Sequence, residues 1–408
     1  MASLKNDRRG GRKLAASGLA AIVAAACIQT AHGESDQAAP KQHLLAGEGV
    51  VSSAVTARTK AAVDKGLAYL AAAQRPDGGW EAFGKSHSAI SALVINCLVQ
   101  DSAYGPHHPA ARKGMAYLLR HVQPDGGIYV PDEGMRNYHT SVAVLALSAA
   151  HDQAYAETIK RAQDFLKELQ WDEGEGHEVS SSWYGGQGYG RGKRPDLSNT
   201  QLMLEALTQS GLSSDDPAYK KAMVFVRRCQ MLGARNDQEF AAGSEDGGFI
   251  YTPAGGGESK AGLDVVDGRP RLRSYGSMTY AGFKSLLYAD IDRNDVRVRR
   301  ALDWIQRHYT LDHNPNMPQT HSKQGLYYYY YVFARALDAW GAEEITDAHG
   351  LPHRWRDELC RKLISLQNED GSWVNDEDRW YEGNAHLVTA YAILAIQTAS
   401  ETHAVAGP

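Results

Sequence analysis

Histidine, carboxyl and hydroxyl side chains stand at matching positions in three helical segments of this chain. His87 and His139 each precede a hydroxyl residue at the start of an apolar helical pattern, and Asp196 precedes a third such pattern. Imidazole and carboxyl groups that lie close together can transfer protons or bind a ligand. We therefore predict that His139 and Asp196 are catalytic residues. For Asp196, capping of the following helix is the structural alternative, because an N-cap carboxylate accepts backbone N–H bonds.

The same pair of histidines has the chemistry to hold a divalent metal ion, since imidazole is a common metal ligand. No fixed spacing of further ligands accompanies the pair, and Cys97, Cys229 and Cys360 form no Cys-x-x-Cys motif. The sequence therefore predicts neither a metal site nor a cofactor. The three cysteines are expected to be buried as small hydrophobic residues.

Further polar and aromatic residues are expected to line a ligand cavity beside these groups. Tyr328 and Tyr331 belong to a run of tyrosines at the start of a later helix, and aromatic faces bind cations and flat or sugar-like rings. Glu382 and His386 precede the last apolar helix. Packing between helices is the alternative for the tyrosines, and an ion pair with Arg379 is the alternative for Glu382. The predicted ligand-binding residues are His87, Asn199, Thr200, Tyr280, Tyr328, Tyr331, Glu382 and His386.

A column of hydroxyl residues accompanies these positions when the helices are aligned by their Ala-Leu endings. Its members are Ser88, Thr140, Thr200, Thr279, Tyr330 and Thr389. Such residues can face a cavity, but they can equally cap helix starts or bond to the preceding turn. Two long Gly-rich segments, Ser181–Arg194 and Ala254–Arg273, are long enough to act as lids over the polar end. The alternative is that they are insertions without this role.

The elements that must position these residues are repeated pairs of helical patterns. A segment that ends in Gln and Asp-Gly-Gly-aromatic recurs, as in AYLAAAQRPDGGW and LISLQNEDGSW, and degenerate copies bring the number to six. A second, apolar helical pattern follows each copy. Because a helix without a polar face must be buried, we predict an all-α fold of six inner and six outer helices with almost no sheet. The turn glycine is expected to be left-handed, with the Asp bonding backbone amides.

These Gln-x-x-Asp-Gly-Gly/Ser-Trp units and helix pairs resemble the (α/α)6 toroid of the squalene cyclase and protein prenyltransferase superfamily, including prenyltransferase and squalene oxidase repeat proteins. The resemblance covers roughly residues 59–400. Cyclases of this superfamily protonate an alkene from an Asp-x-Asp-Asp-Thr motif. The matching run retains Asp196, but Ser198 occupies the proton-donating position and Asn199 lies beside it. The resemblance therefore argues against alkene protonation at this helix.

Two other chemistries of the same fold also lack their residues. Protein prenyltransferases hold zinc through an Asp-x-Cys pair and a histidine, whereas the corresponding positions here are Tyr275, Ser277 and Val388. A thioester domain needs a Gly-Cys-Gly-Glu-Gln run, which the sequence lacks. The resemblance thus implies a toroid that binds, and can transform, an apolar or isoprenoid-like molecule without the usual acid. If catalytic, it would be cyclase-like or isomerase-like. An extracellular carbohydrate-active enzyme and a non-catalytic extracellular interaction module are the alternatives.

The first residues predict export from the cell. Lys5–Lys13 is basic, Leu14–Ile28 is apolar but shorter than the ~20 residues of a membrane span, and small residues follow. Arg8-Arg9 and Cys27 hint at twin-arginine export or lipidation. We expect a periplasmic or extracellular protein, either free or tethered to a membrane. The predicted organisation is an export signal at 1–33, a polar tether at 34–58, the toroid at 59–400 and a tail at 401–408.

The expected partners follow from charge and fold. The net charge is -5, and no long basic or acidic run accompanies it. A nucleic-acid partner is therefore not expected. We expect a monomer that binds a small apolar, isoprenoid-like molecule and makes at most peripheral contact with a membrane.

Overall fold

A computed structural model describes residues 53–266 and 268–400, and α-helices dominate it. The odd-numbered helices form an outer set: α1 (Ser53–Ala72), α3 (Pro109–Leu119), α5 (Ala156–Glu168), α7 (Pro217–Cys229), α9 (Val296–Arg307) and α11 (Trp355–Ser365). The even-numbered helices form an inner set: α2 (Ser88–Gln100), α4 (Arg136–Ala149), α6 (Leu197–Gln209), α8 (Gly276–Tyr288), α10 (Leu326–Trp340) and α12 (Ala385–Ser400).

The inner helices form a closed ring. Each contacts the next in the order α2, α4, α6, α8, α10 and α12, and α12 contacts α2 again. The outer helices pack on the outside of this ring, and α1 closes it by contacting α11 and α12. The predicted all-α fold of two concentric rings is confirmed.

Burial explains which helices lie inside. In α2 every residue from Ser88 to Val99 is buried, as expected for a helix with no polar face. In α9, by contrast, the buried residues Val298, Ala301, Trp304 and Ile305 recur every three or four positions and leave a charged face to solvent.

The repeated turn after α1 contacts the next outer helix, α3. Gly78 is left-handed (φ 95°), and a Cβ there would lie 2.5 Å from the Lys113 carbonyl oxygen. The Asp77 carboxylate accepts a bond from the Gly79 N–H at 3.1 Å. The Gln74 amide donates to the carbonyl oxygens of Gly78 and Ala110. The motif therefore joins one repeat to the first turn of the next outer helix.

The column of hydroxyl residues connects the inner helices to the repeated turns. Five hydroxyls accept the backbone N–H of the residue that follows the repeated turn, whereas the Tyr330 hydroxyl donates to the Leu311 carbonyl oxygen at 2.6 Å. The pairs are Ser91 with Trp80, Thr140 with Ile128, Thr200 with Gln187, Thr279 with Phe249 and Thr389 with Trp373. The first member is Ser91 and not Ser88, because only a residue one turn further along α2 reaches Trp80. The threonines of this column therefore follow the alternative prediction, in which the hydroxyl bonds to the preceding turn.

Sheet structure in the described residues is limited to three two-stranded antiparallel hairpins. These are β1 (Glu81–Ala82) with β2 (Lys85–Ser86), β3 (Leu263–Val266) with β4 (Arg269–Leu272), and β5 (Ile345–Thr346) with β6 (Pro352–His353). No helix within residues 53–266 and 268–400 has both the length and the apolar character of a membrane span.

The domain boundaries differ slightly from the predicted ones. Helix α1 begins at Ser53, so the last residues assigned to the tether are helical. The export signal, the rest of the tether and the tail lie outside the described residues. Cys97, Cys229 and Cys360 are unpaired and buried, as predicted.

Candidate functional site

A cavity opens at the N-terminal ends of the inner helices. Its volume is ≈ 220 Å³, many times the roughly 10–15 Å³ that one water needs on the same scale. Its wall includes His87 and Ile90 of the first inner helix, Ser198 of the third and Leu387 of the last. The ring of helix starts therefore encloses space for an organic molecule.

Aromatic side chains dominate the wall of this cavity. Nine Phe, Tyr and Trp residues line it: Phe83, Tyr138, Tyr189, Tyr251, Tyr275, Tyr328, Trp380, Tyr381 and Tyr391. Inside, the Tyr138 and Tyr391 hydroxyls are 3.0 Å apart. At the rim, Phe83 stacks on Tyr381 with ring centroids 4.3 Å apart. The cavity thus offers aromatic faces with a few hydroxyl groups between them.

Two histidines and one carboxylate meet beside the cavity wall. His87 is the N-cap residue of α2, His139 lies in the first turns of α4, and Glu133 ends a 3₁₀ turn just before α4. The Glu133 Oε2 atom lies 3.6 Å from His139 Nε2 and 3.9 Å from His87 Nε2. Among the described residues, these three form the only group of at least three His, Cys, Asp or Glu side chains that could share a metal ion.

Neighbouring groups hold this cluster in place. The Ser88 hydroxyl is 2.8 Å from His139 Nδ1, and Lys85 Nζ is 2.7 Å from Glu133 Oε1. Burial lowers the pKa of His139 to about 3. Burial also lowers the pKa of His87, against the opposing effect of the Glu133 charge. Both imidazoles are therefore neutral at pH 7.

Asp196 caps α6 as the sequence suggested. It is buried, and its carboxylate accepts bonds from the Asn199 N–H at 2.9 Å and from the Asn199 side-chain amide. Burial raises the pKa of Asp196 to about 6, although these bonds and one from Tyr251 oppose the shift. Asp196 is not among the residues that line the cavity, whereas Tyr251, which bonds it, is.

Glu382 is a second buried carboxyl group, and it does line the cavity. It accepts bonds from the Tyr328 N–H at 2.7 Å and the Asn375 amide at 2.6 Å. Burial raises its pKa to about 7. Arg379 is not its partner, since that guanidinium lies over the Trp380 ring instead. Glu382 therefore anchors the start of α10 and presents a titratable group at the cavity.

Both long Gly-rich segments contribute to the mouth. Tyr189 comes from Ser181–Arg194, and Lys260 comes from Ala254–Arg273. Lys260 Nζ lies 4.5 Å from the centroid of the Tyr251 ring. These segments cover the mouth, but whether they move as lids stays a prediction.

The other predicted ligand-binding residues fall into two groups. His87, Tyr328 and Glu382 lie together on the cavity wall. The remaining five do not reach it: Asn199, Thr200, Tyr280, Tyr331 and His386. The first four are buried, while His386 is partly exposed and faces the Glu81 carbonyl oxygen at 3.1 Å. Their role in ligand binding remains untested.

A buried charge network lies deeper in the ring than the cavity, and we call it the floor network. It consists of Glu205, Lys284, Tyr331 and Arg335. Its three charged members each lie seven residues after a wall residue, namely Ser198, Ser277 and Tyr328. Since seven residues make about two turns, or roughly 10 Å, they occupy the same helix faces deeper in the ring. Lys284 Nζ lies 2.5 Å from Glu205 Oε2, with both side chains inaccessible to solvent.

Sequence reasoning missed several residues of the site. Glu133 was not predicted, although its place in the short segment before α4 would bring it near His139. Tyr138 and Tyr391 were also missed, although both stand in the apolar patterns of inner helices. Trp380 and Tyr381 follow the last repeat and could have been found from that position alone.

Comparison with known proteins agrees with this architecture. Residues 82–251 match the squalene-hopene cyclase C-terminal domain family. The type II terpene cyclase MstE from Scytonema, in complex with geranylgeranyl dihydroxybenzoate, superposes with a TM-score of 0.51 at 12% identity, covering 86% of this chain and 98% of its own. No curated protein matches the sequence.

Similar folds also occur among sugar-converting enzymes. A D-mannose isomerase gives a TM-score of 0.51 at 14% identity, covering 86% of this chain and 99% of its own. A family 76 glycoside hydrolase from a bovine Bacteroides thetaiotaomicron strain gives 0.52 at 12% identity, covering 83% and 78%. At such identities these likenesses concern the fold alone.

Proposed function

We propose that this squalene-cyclase-like α/α toroid binds a small, mainly apolar molecule with unsaturated or ring-shaped parts, of isoprenoid-like character. The observation that carries the proposal is the wall of nine aromatic side chains around a cavity of ≈ 220 Å³. Aromatic faces attract π systems and cations in a site from which water is excluded. Tyrosine hydroxyls such as those of Tyr138 and Tyr391 supply a few directional contacts.

Any chemistry on this ligand would differ from alkene protonation by Asp196. Protonation of an alkene needs a strong acid, whereas burial raises the pKa of Asp196 to about 6 and so makes it a weaker one. The carboxyl and imidazole groups that border the cavity, Glu382 and His87, are suited to milder proton transfers near neutral pH. We therefore propose isomerase-like turnover, if the bound molecule is converted at all.

The test begins with mass spectrometry of molecules that co-purify with the protein. A linear isoprenoid alcohol is then titrated against the stripped protein, with quenching of intrinsic fluorescence as the signal. Tyr328→Leu should weaken binding at least about tenfold, because this ring borders the cavity. Tyr155→Leu, at a partly buried tyrosine before outer helix α5, is the matched control. Equal affinities for both folded variants would contradict the proposal and favour a non-catalytic interaction module.

A carbohydrate ligand is the second candidate, favoured by the exposed aromatic rim. Phe83 is 70% exposed and Trp380 is 40% exposed, and sugar rings stack on such surfaces. Incubation with a glycan panel tests for depolymerisation, and titration with mono- and disaccharides tests for binding. Phe83→Ala should reduce sugar affinity but should change isoprenoid affinity little, since Phe83 lies at the rim. If Phe83→Ala weakens isoprenoid binding and leaves sugar binding unchanged, the result would contradict a carbohydrate ligand.

We also propose that the protein is exported. The support is the basic Lys5–Lys13 segment followed by the apolar Leu14–Ile28 run. Expression of the full chain in a bacterial host, fractionation and intact-mass measurement would test this. The expected product is a periplasmic or secreted form that lacks the first ~33 residues. An uncleaved chain confined to the cytoplasm would contradict export.

A further inference from the structure

We infer that His87, Glu133 and His139 form a binding site for a divalent first-row transition-metal ion, such as Zn²⁺, beside the cavity. This site goes beyond the proposed function and does not depend on it. Two neutral imidazoles with one carboxylate are a donor set that such ions prefer. The inference rests on the position and burial of three side-chain atoms.

The spacing of these atoms suits a single ion. One ring nitrogen of His87, one of His139 and one Glu133 oxygen all lie within 4.8 Å of one another. Ligand bonds of about 2.0–2.2 Å at tetrahedral angles place two donor atoms roughly 3.3–3.6 Å apart. Glu133 Oε2 lies 3.6 Å from His139 Nε2 and 3.9 Å from His87 Nε2. For these two distances, shifts of a few tenths of an ångström therefore suffice.

Two of the three atoms lack other partners. His139 Nε2 and Glu133 Oε2 are buried, and neither has a hydrogen-bond partner among the residues that the structure describes. The His139 side chain is 0% exposed, so water does not reach it freely. Buried polar atoms are normally satisfied, and each exception requires a reason. A shared cation satisfies both atoms at once.

The surrounding groups orient the ligands. The Ser88 hydroxyl lies 2.8 Å from His139 Nδ1, so it can accept from Nδ1–H in the tautomer that leaves the Nε2 lone pair to an ion. Lys85 bonds Glu133 Oε1 at 2.7 Å and leaves Oε2 to the ion. The Ile90 N–H is 3.5 Å from His87 Nδ1, a long contact that is given up when this nitrogen carries the proton. The site is thus largely preformed.

Three protein ligands leave a coordination position open. His87 lines the cavity, so an ion bound to it would lie next to the space where a ligand would bind. An ion with an open position can polarise an oxygen of a bound molecule or lower the pKa of a bound water. Purely structural zinc sites instead have four protein ligands. The geometry therefore points to a site that acts on the cavity's contents.

The test uses the metal alone. Chelator-stripped protein is titrated with Zn²⁺ by calorimetry and with Co²⁺ by visible absorption. We expect one ion per chain, with a Co²⁺ spectrum typical of nitrogen and oxygen ligands. His87→Asn, Glu133→Gln and His139→Gln should each weaken binding at least about tenfold, and Ser88→Ala should weaken it about 10–100-fold by releasing His139.

One control variant makes the result specific. His308→Asn changes a partly buried histidine at the end of α9, outside the cluster, and should bind the ion as the wild type does. Circular dichroism confirms that each variant is folded. Absence of one-to-one binding by the wild type, or equal binding by the three ligand variants, overturns the inference and leaves a hydrogen-bonded His-Glu-His cluster. No organic ligand is present, so failure here is separate from failure of the proposed function.

Discussion

Replacing Glu205 by glutamine should destabilise the protein far more than replacing its partner Lys284. Glu205 is the only anion in the floor network among the described residues. One of its oxygens accepts a bond from Lys284, and the other accepts a bond from Tyr331 and forms an ion pair with Arg335. Glu205→Gln leaves two cations facing each other in the interior. We expect a loss of about 3–5 kcal/mol in the free energy of unfolding.

Lys284→Met should cost less, about 1–3 kcal/mol, because Glu205 keeps its bonds to Arg335 and Tyr331. The two changes should not be additive. In Glu205→Gln/Lys284→Met only one of the two cations remains, so the double variant should be more stable than the sum of the single losses predicts. The coupling should be about 0.5–3 kcal/mol.

The pH dependence of Glu205→Gln provides a second readout. Burial lowers the pKa of Lys284, and Arg335 lowers it further, while Glu205 opposes both. Without Glu205, the folded state releases the Lys284 proton at lower pH than the unfolded state does. The unfolded state then binds more protons, so stability rises with pH by at most about 1.4 kcal/mol per unit until pH nears 10. The deficit against wild type should therefore shrink from pH 7 to pH 9.

Urea unfolding followed by tryptophan fluorescence measures these free energies, with circular dichroism as a check on the native state. A loss below about 1 kcal/mol for Glu205→Gln at pH 7 would refute the reasoning. So would strict additivity of the two single variants. Either result would mean that water or rearrangement satisfies the charges, and that the floor is less closed than the burial of these side chains indicates.

Three further outcomes are expected. Gly350→Ala should lower the free energy of unfolding by about 1–2 kcal/mol, and Gly371→Ala should lower it by more. Both glycines are left-handed, but only at Gly371 would a Cβ lie 2.5 Å from a carbonyl oxygen. Thermal unfolding of the two variants tests this. Thr279→Val should cost about 1–3 kcal/mol by leaving the Phe249 N–H unpaired, whereas exposed Thr320→Val should cost almost nothing in the same assay. Burial raises the pKa of Glu382 to about 7, so its contribution to stability is present below pH ~4.3 and is lost as the pH rises to about 7. The stability of the wild type relative to Glu382→Gln should therefore fall across this range. A constant difference in stability would contradict the burial argument.

The fold was predictable because its signals are local. The Gln and Gly of each repeated turn determine a helix end, and an apolar helix must lie inside, whatever the rest of the chain does. The cap at Asp196 is equally local, since its carboxylate bonds a backbone N–H three residues away. Such features depend on short-range geometry that the sequence displays directly.

The site was only partly predictable, because it depends on how deep each residue lies in the ring and on the course of the loops between helices. Tyr331 lies three residues beyond Tyr328, about 4.5 Å deeper in the ring, and so meets Glu205 instead of the cavity. Alignment by helix endings placed Ser88 in the hydroxyl column, although Ser91 makes the bond to Trp80. Glu133 reaches the histidines through a loop whose course has no periodic signal.

The two ends of the described ring meet without a covalent bond. The Gln367 amide donates to the Ala62 carbonyl oxygen at 2.9 Å, so the last repeat bonds α1 as Gln74, Gln170 and Gln230 bond the outer helices that follow them. The described helices therefore form a cycle that the sequence interrupts between α12 and α1. A circular permutant that joins the two ends through a short linker and opens instead at the turn between α6 and α7 would keep every repeat-to-repeat contact, and the cavity with it.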